Sequence, residues 1–97
     1  MDTKHEGNVL VVDDSRLEID ILKRLLTTEG FVVQCAYGGR EALTLAATHP
    51  IDVILLDVMM PEMDGFQVCD ALRQDERTRE IPIILLTAKD DMETRVV

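Results

Sequence analysis

The run Val9-Leu10-Val11-Val12-Asp13-Asp14-Ser15 places four consecutive apolar residues, three of them valine, directly before two acids and a serine. An apolar run with no polar alternation is the pattern of a strand buried on both faces, as in a parallel sheet. A helical pattern follows at once, with Leu17, Ile21, Leu22, Leu25 and Leu26 at a spacing that predicts one apolar face. Ser15 and Glu18 have the spacing of a capping box at its start, and Gly30 supplies the stop.

The same alternation repeats outward along the chain. Phe31 to Ala36 reads as a second strand, partly polar and therefore at a sheet edge, and Gly38-Gly39 breaks it. Ala42, Leu43, Ala46 and Ala47 form the small apolar stripe of a second helix, which cannot pass Pro50. Asp52 to Asp57 is a third strand, buried and ending in an acid, and a loop from Val58 to Gly65 follows. Phe66, Cys69 and Leu72 mark a third helix that fades by Gln74, and the charged connector Asp75 to Glu80 reads as a solvated loop. Ile81 to Thr87 is a fourth strand, with Pro82 near its start, where a missing donor is tolerated. Asp90 and Glu93 have the spacing of a capping box for a fourth helix, which the last residue, Val97, interrupts.

The expected architecture is therefore a doubly wound α/β fold with a parallel sheet and right-handed crossovers. At 97 residues there is room for one domain, spanning 1–97 and ending within the fourth helix. Ten basic residues against 19 acidic ones give a net charge of −9, which repels phosphate backbones and disfavours direct nucleic-acid binding by this domain. Apolar runs of four residues are far short of the roughly 18 that a membrane helix needs, so no membrane partner is expected. Cys35 and Cys69 form no C-x-x-C pair and read as buried small hydrophobes in a reducing compartment, the cytoplasm.

In open parallel sheets the site lies beyond the carboxyl ends of the strands. Those ends carry Asp13 and Asp14 after the first strand, Asp57 after the third and Thr87 after the fourth. Taken singly, Asp13 or Asp14 also fits a helix cap, Asp57 an acid closing a strand, and Thr87 a β-branched strand residue. Together, three converging carboxylates need a counter-charge, and a hard, oxygen-preferring divalent cation, Mg²⁺ above all, supplies it. No G-x-G-x-x-G and no P-loop motif occurs, His5 and His49 read as surface residues, and no serine or cysteine sits with a histidine as in a hydrolase triad.

Three segments carry a resemblance. Val9 to Ser15, then Asp52 to Gly65 with its Asp57 followed by Met60-Pro61-Glu62-Met63-Asp64-Gly65, then Pro82 to Ala88 with Leu86-Thr87-Ala88, resemble the receiver domains of two-component response regulators. The match covers nearly the whole chain from about Asn8, in order and at the family's spacing. It implies a flavodoxin-like sheet of strand order 2-1-3-4, with the family's fifth strand and fifth helix absent from this chain. It implies that Asp57 accepts a phosphoryl group from a sensor histidine kinase or phosphotransfer protein, that Mg²⁺ is held by Asp13, Asp14, Asp57 and the backbone carbonyl of Met59, and that the domain then switches conformation to control an output. It further implies that Thr87 and Ala88 contact the phosphoryl group, and that Met59 and Lys89 modulate rates. The domain would promote its own phosphorylation and dephosphorylation without being a turnover enzyme. The family's lysine at the end of the fifth strand has no counterpart, because Lys89 follows Thr87 by two residues.

Two rivals remain at this stage. A Mg²⁺-dependent phosphohydrolase with an aspartyl nucleophile would show D-x-D-x-[TV] on the first strand, which Asp13-Asp14-Ser15 does not fit. A phosphate-independent, receiver-like interaction module would be expected to lose one of Asp13, Asp14, Asp57 or Thr87, all of which are present. Without a fifth strand, the fourth would be an apolar, unpaired edge through which the chain is expected to self-associate.

Overall fold

The computed structural model describes residues 7–86 and, as backbone, 94–96. The elements are β1 (Asn8–Val12), α1 (Arg16–Thr28), β2 (Val32–Ala36), α2 (Gly39–Thr48), β3 (Val53–Asp57), α3 (Gly65–Gln74), β4 (Ile83–Leu86) and β5 (Thr94–Val96). They form one sheet of order β2-β1-β3-β4-β5, in which the first four strands are parallel. β2 lies at the edge, as its polar content predicts.

Burial explains the strand patterns. Val9 to Val12 of β1 are all buried, because helices cover both faces of the sheet at its centre. One core layer lies beneath α2 and α3 and includes Leu10, Val12, Ile54, Leu56, Val68, Leu72, Ile83 and Leu85. The opposite layer is smaller, with Val9, Val11 and Ile19 buried and Leu22 and Leu26 packed against them. β3 and β4 alternate between buried and half-buried positions: their α2/α3 face is covered, and the other face is covered only in part.

Four expectations need correction. The apolar residues of α1 do not share one face: Ile19, Leu22 and Leu26 turn inward, while Leu17, Ile21 and Leu25 are exposed. At 100° per residue, the centre of positions 17, 21 and 25 lies roughly 130° around the helix from that of positions 19, 22 and 26. In α3 the buried residues are Val68 and Leu72, and Phe66 is exposed. The connector after α3 is also better held than a solvated loop. Thr78 is buried and its hydroxyl donates to the Leu72 carbonyl at 2.7 Å, while Arg73 donates to the carbonyls of Arg79 and Ile81.

The fourth correction concerns the chain after β4. Thr94–Val96 is a strand rather than part of a fourth helix, and it pairs antiparallel to β4 with Leu86 opposite Thr94 and Ile84 opposite Val96. The fourth strand is therefore not the open edge, and a fifth strand is present, though not a parallel one. Two reasons favour this arrangement. An open β4 edge offers a row of ready partners to a strand that follows it. The connection of residues 87–93 is also shorter than the dozen or more residues a parallel crossover requires, so the strand must return antiparallel. Asp90 and Glu93, the expected caps, lie outside the described residues.

Candidate cation and phosphoacceptor site

The register of β1 against β3 pairs Val12 with Leu56, so Asp13 and Asp57 leave the sheet side by side at its carboxyl edge. Asp13, Asp14 and Asp57 each offer one carboxylate oxygen within 4.8 Å of the others. Asp13 is only 3% exposed, Asp57 is half-buried and Asp14 faces solvent.

Local bonds hold each acid in place. The Asp13 amide donates to the Ala36 carbonyl at 3.1 Å, tying the end of β1 to β2. Asp13 Oδ1 accepts the Ser15 amide at 2.9 Å, and the Ser15 hydroxyl accepts the Glu18 amide at 3.3 Å. Since the Ser15 amide is committed to Asp13, the expected two-way capping box with Glu18 is only half formed. The complete box is at α3, where Asp64 and Gln67 each accept the other's amide at 2.9 Å. Beyond β3, the Val58 amide donates to the Leu86 carbonyl and the Gly65 amide to the Val58 carbonyl, so the residue after Asp57 is fixed from two sides. Gly65 is required here: a Cβ at this position would lie 2.6 Å from the Asp57 carbonyl oxygen. Gly39 plays a similar part, since its Cβ would fall 2.8 Å from Met63 Sδ, and this close approach seats the loop against α2. Glu62, at the tip of that loop, has φ 67, and the Met63 amide donates to the Pro61 carbonyl across it.

Electrostatics mark the cluster as short of positive charge. Burial pushes the Asp13 carboxyl up to about 7, with Glu18 and Asp57 adding to the rise and the Ser15 amide opposing it. Burial also raises Asp57, with the charges of Asp14 and Glu18 adding to it and the Met59 amide opposing it. Three oxygen donors within 4.8 Å of one another, two of them raised by burial, at an edge open to water, fit a hard divalent cation that keeps several waters. Glu18 is the residue the sequence reading missed, because S-x-x-E suggests a cap and does not reveal that Asp13 competes for the Ser15 amide.

The expected site residues do not all fall within view. Asp13, Asp14 and Asp57 come together as expected. Met59 lies beside them with its amide directed back at Asp57 Oδ1 (3.4 Å) and its side chain exposed, while Met60 is buried in the core. Thr87, Ala88 and Lys89 lie outside the described residues. Elsewhere, an open groove of about 500 Å³ runs along Asp20, Lys23, Arg24, Thr27 and Thr28 of α1 and includes none of these acids. No helix among the described residues is long and apolar enough to cross a membrane.

A flavodoxin-like sheet with an acid triad at its switch point defines a class, and comparison with known proteins names it. Residues 9–97 match the family model of the response regulator receiver domain, and the chain belongs to that family. It is a receiver domain of two-component response regulators, a signalling domain. It is 48% identical over 90 residues to the response regulator PleD of Caulobacter vibrioides, covering 93% of this chain and 20% of PleD. It is 46% identical over 88 residues to the response regulator MprA of Mycolicibacterium vanbaalenii, covering 91% and 37% of the two chains. The chain thus spans about a fifth of one relative and somewhat over a third of the other. Among solved structures, the N-terminal domain of a response regulator receiver protein from Methanoculleus marisnigri superposes with a TM-score of 0.82 at 39% identity, covering 84% of this chain and 67% of that one. The chemotaxis protein CheY4 of Vibrio cholerae gives 0.81 at 36% identity, covering 90% and 75%.

Proposed function

We propose that Asp57 is the phosphoacceptor of this domain, working with Mg²⁺ held by Asp13, Asp14, Asp57 and the backbone carbonyl of Met59. The observation that carries this reading is the convergence of three carboxylate oxygens within 4.8 Å at the carboxyl edge of the sheet. When bound, Mg²⁺ neutralises the phosphoryl oxygens and keeps the acids ionised. An Asp57 carboxylate oxygen attacks the phosphorus of a phosphohistidine on a sensor kinase or phosphotransfer protein. The new O–P bond replaces the P–N bond, and the released imidazole takes up a proton, leaving an acyl phosphate on Asp57. Burial of Asp13 and the bonds fixing Val58 hold the nucleophile in one place, which is most of what phosphoryl transfer asks of a protein.

Thr87 and Ala88 contact the phosphoryl group and report its arrival, and the exposed Met59 together with Lys89 sets the rates. The domain promotes its own phosphorylation and dephosphorylation and turns over no external substrate. It works in the cytoplasm and controls an output carried elsewhere in its system. The test is the chain with Mg²⁺ and a small phosphodonor: one phosphoryl group, labile to base and hydroxylamine, is expected at Asp57. Labelling that persists undiminished in Asp57→Ala sinks the assignment.

A further inference from the structure

The charges that bear most on Asp13 and Asp57 are all negative: Glu18 and Asp57 act on the first, Asp14 and Glu18 on the second. A phosphodonor brings more negative charge to that edge, on a chain whose net charge is already −9. The cation nearest Asp13 and Asp14 along the chain is Arg16, the first residue of α1. A helix N-terminus carries partial positive charge, so an arginine there works against the helix dipole. Nor does Arg16 offset this by pairing with an acid. Among the described residues its guanidinium makes no ion pair and lies instead over the Tyr37 ring, 4.4 Å from the centroid. The backbone that carries the ring is anchored on both sides. The Tyr37 amide donates to Glu41 Oε1 at 2.9 Å, and the carbonyl of Ala36, just before it, accepts the Asp13 amide at 3.1 Å. The cation is thus held at the acids' edge of the sheet without neutralising them.

We propose that Arg16, held over Tyr37, is a positioning residue that selects phosphodonors by charge, favouring each in proportion to its net negative charge. The inference rests on Asp57 as the phosphoacceptor. Arg16 follows Asp14 by two residues, and Tyr37 follows the backbone partner of Asp13, so the guanidinium lies on the order of a Debye length, about 8–10 Å, from the acids. At that range the attraction scales with the charge of the anion, and the logarithm of the gain doubles from a monoanion to a dianion. Acetyl phosphate is a dianion at neutral pH, whereas phosphoramidate, with its protonated nitrogen, carries one net negative charge. With acetyl phosphate, a new bond from an Asp57 oxygen to phosphorus replaces the P–O bond to the acetyl group, and acetate leaves. With phosphoramidate it replaces the P–N bond, and ammonia leaves. Neither transfer takes a proton from Arg16. Arg40, in the first turn of α2 beyond the edge strand β2, is a second cation at the same end of the sheet but farther from β3, and it serves as a control.

Second-order labelling rates of the 97-residue chain with Mg²⁺, followed by mass spectrometry at low ionic strength, make the test. Arg16→Gln should lower the rate with acetyl phosphate about three- to fivefold and with phosphoramidate only about twofold, the square root of the larger loss. Both losses should vanish at about 1 M salt, where the Debye length falls to about 3 Å. Arg16→Lys keeps the charge and should restore most of the rate. Arg40→Gln removes an equal charge and should cost less than Arg16→Gln. Because Arg16 and Arg40 are exposed, the three variants should keep the wild-type circular dichroism and melt close to wild type. Losses that are equal for the two donors, or that persist at high salt, overturn the proposal, since a structural role would act on both donors alike. Arg40→Gln matching Arg16→Gln overturns it too, by reducing the effect to net charge. A wild-type chain that neither donor labels removes the Asp57 assignment and the inference with it. A labelled wild type and an equally fast Arg16→Gln remove the inference alone.

Discussion

Asp13→Asn tests the electrostatic reading of the site most directly. Asparagine keeps a carbonyl oxygen where Asp13 Oδ1 accepts the Ser15 amide, and it places an amide that can donate beside the Asp57 carboxylate. What it removes is a nearly buried charge. An unfolded aspartate loses its proton near pH 3.8, while burial, with Glu18 and Asp57 nearby, holds the folded Asp13 proton to about pH 7. The folded form therefore binds more protons than the unfolded form between these values. Stability falls as pH rises from about 4 to about 7, and the penalty is fully present above that. A carboxyl raised from 3.8 to about 7 costs folding on the order of 4 kcal/mol at alkaline pH. Allowing for imperfect amide packing, Asp13→Asn should be about 2–3 kcal/mol more stable than wild type at pH 8 in chelator, and nearly equal to it at pH 4. For a domain of this size that is a rise in Tm of roughly 10–20 °C. Urea unfolding at several pH values in EDTA makes the measurement. Equal stability at pH 8, or a difference that does not grow between pH 4 and 7, would refute the reasoning.

Further tests separate the cation site from its scaffold. Asp14→Asn should be no less stable than wild type in chelator and should gain less from added Mg²⁺; equal Mg²⁺ stabilisation in thermal melts removes Asp14 from the site. Gly65→Ala should lower stability by roughly 2 kcal/mol or more and slow labelling of Asp57, because its Cβ would press on the Asp57 carbonyl from 2.6 Å; a stable protein with wild-type labelling shows that the loop can yield. Thr78→Val should cost about 1–2 kcal/mol by leaving the Leu72 carbonyl without its hydroxyl partner, with no change in the labelling rate, as denaturant melts and mass spectrometry would show.

The centre of the fold was legible because local pattern and long-range structure agree there. A run such as Val9 to Val12 has only one stable environment, a strand covered on both faces, and this puts the following acids at the carboxyl edge whatever the rest of the chain does. Where two local signals compete, the sequence could not say which prevails. Ser15 precedes Glu18 at capping-box spacing, but its amide is taken by Asp13, so Glu18 contributes charge to the acid cluster. At Asp64 and Gln67 there is no such rival, and the full box forms.

Away from the centre, pairing partners distant in sequence decide the outcome. Residues 94–96 follow a capping signal, yet they form a strand because the β4 edge is close and a crossover is too long for the connection. In α1, two apolar stripes read as one face until the sheet shows that Ile19, Leu22 and Leu26 pack against it, while Leu17, Ile21 and Leu25 are exposed. The carboxylate cluster depends on neither of these margins. It is set by β1, β3 and the loop that Gly65 and Gly39 hold closed. The core that supports Asp57 thus lies on the α2/α3 side of the sheet, beneath the loop that follows β3. Substitutions in the loop after β3 should therefore change the labelling of Asp57 while leaving the packing on the α1 side of the sheet as it is.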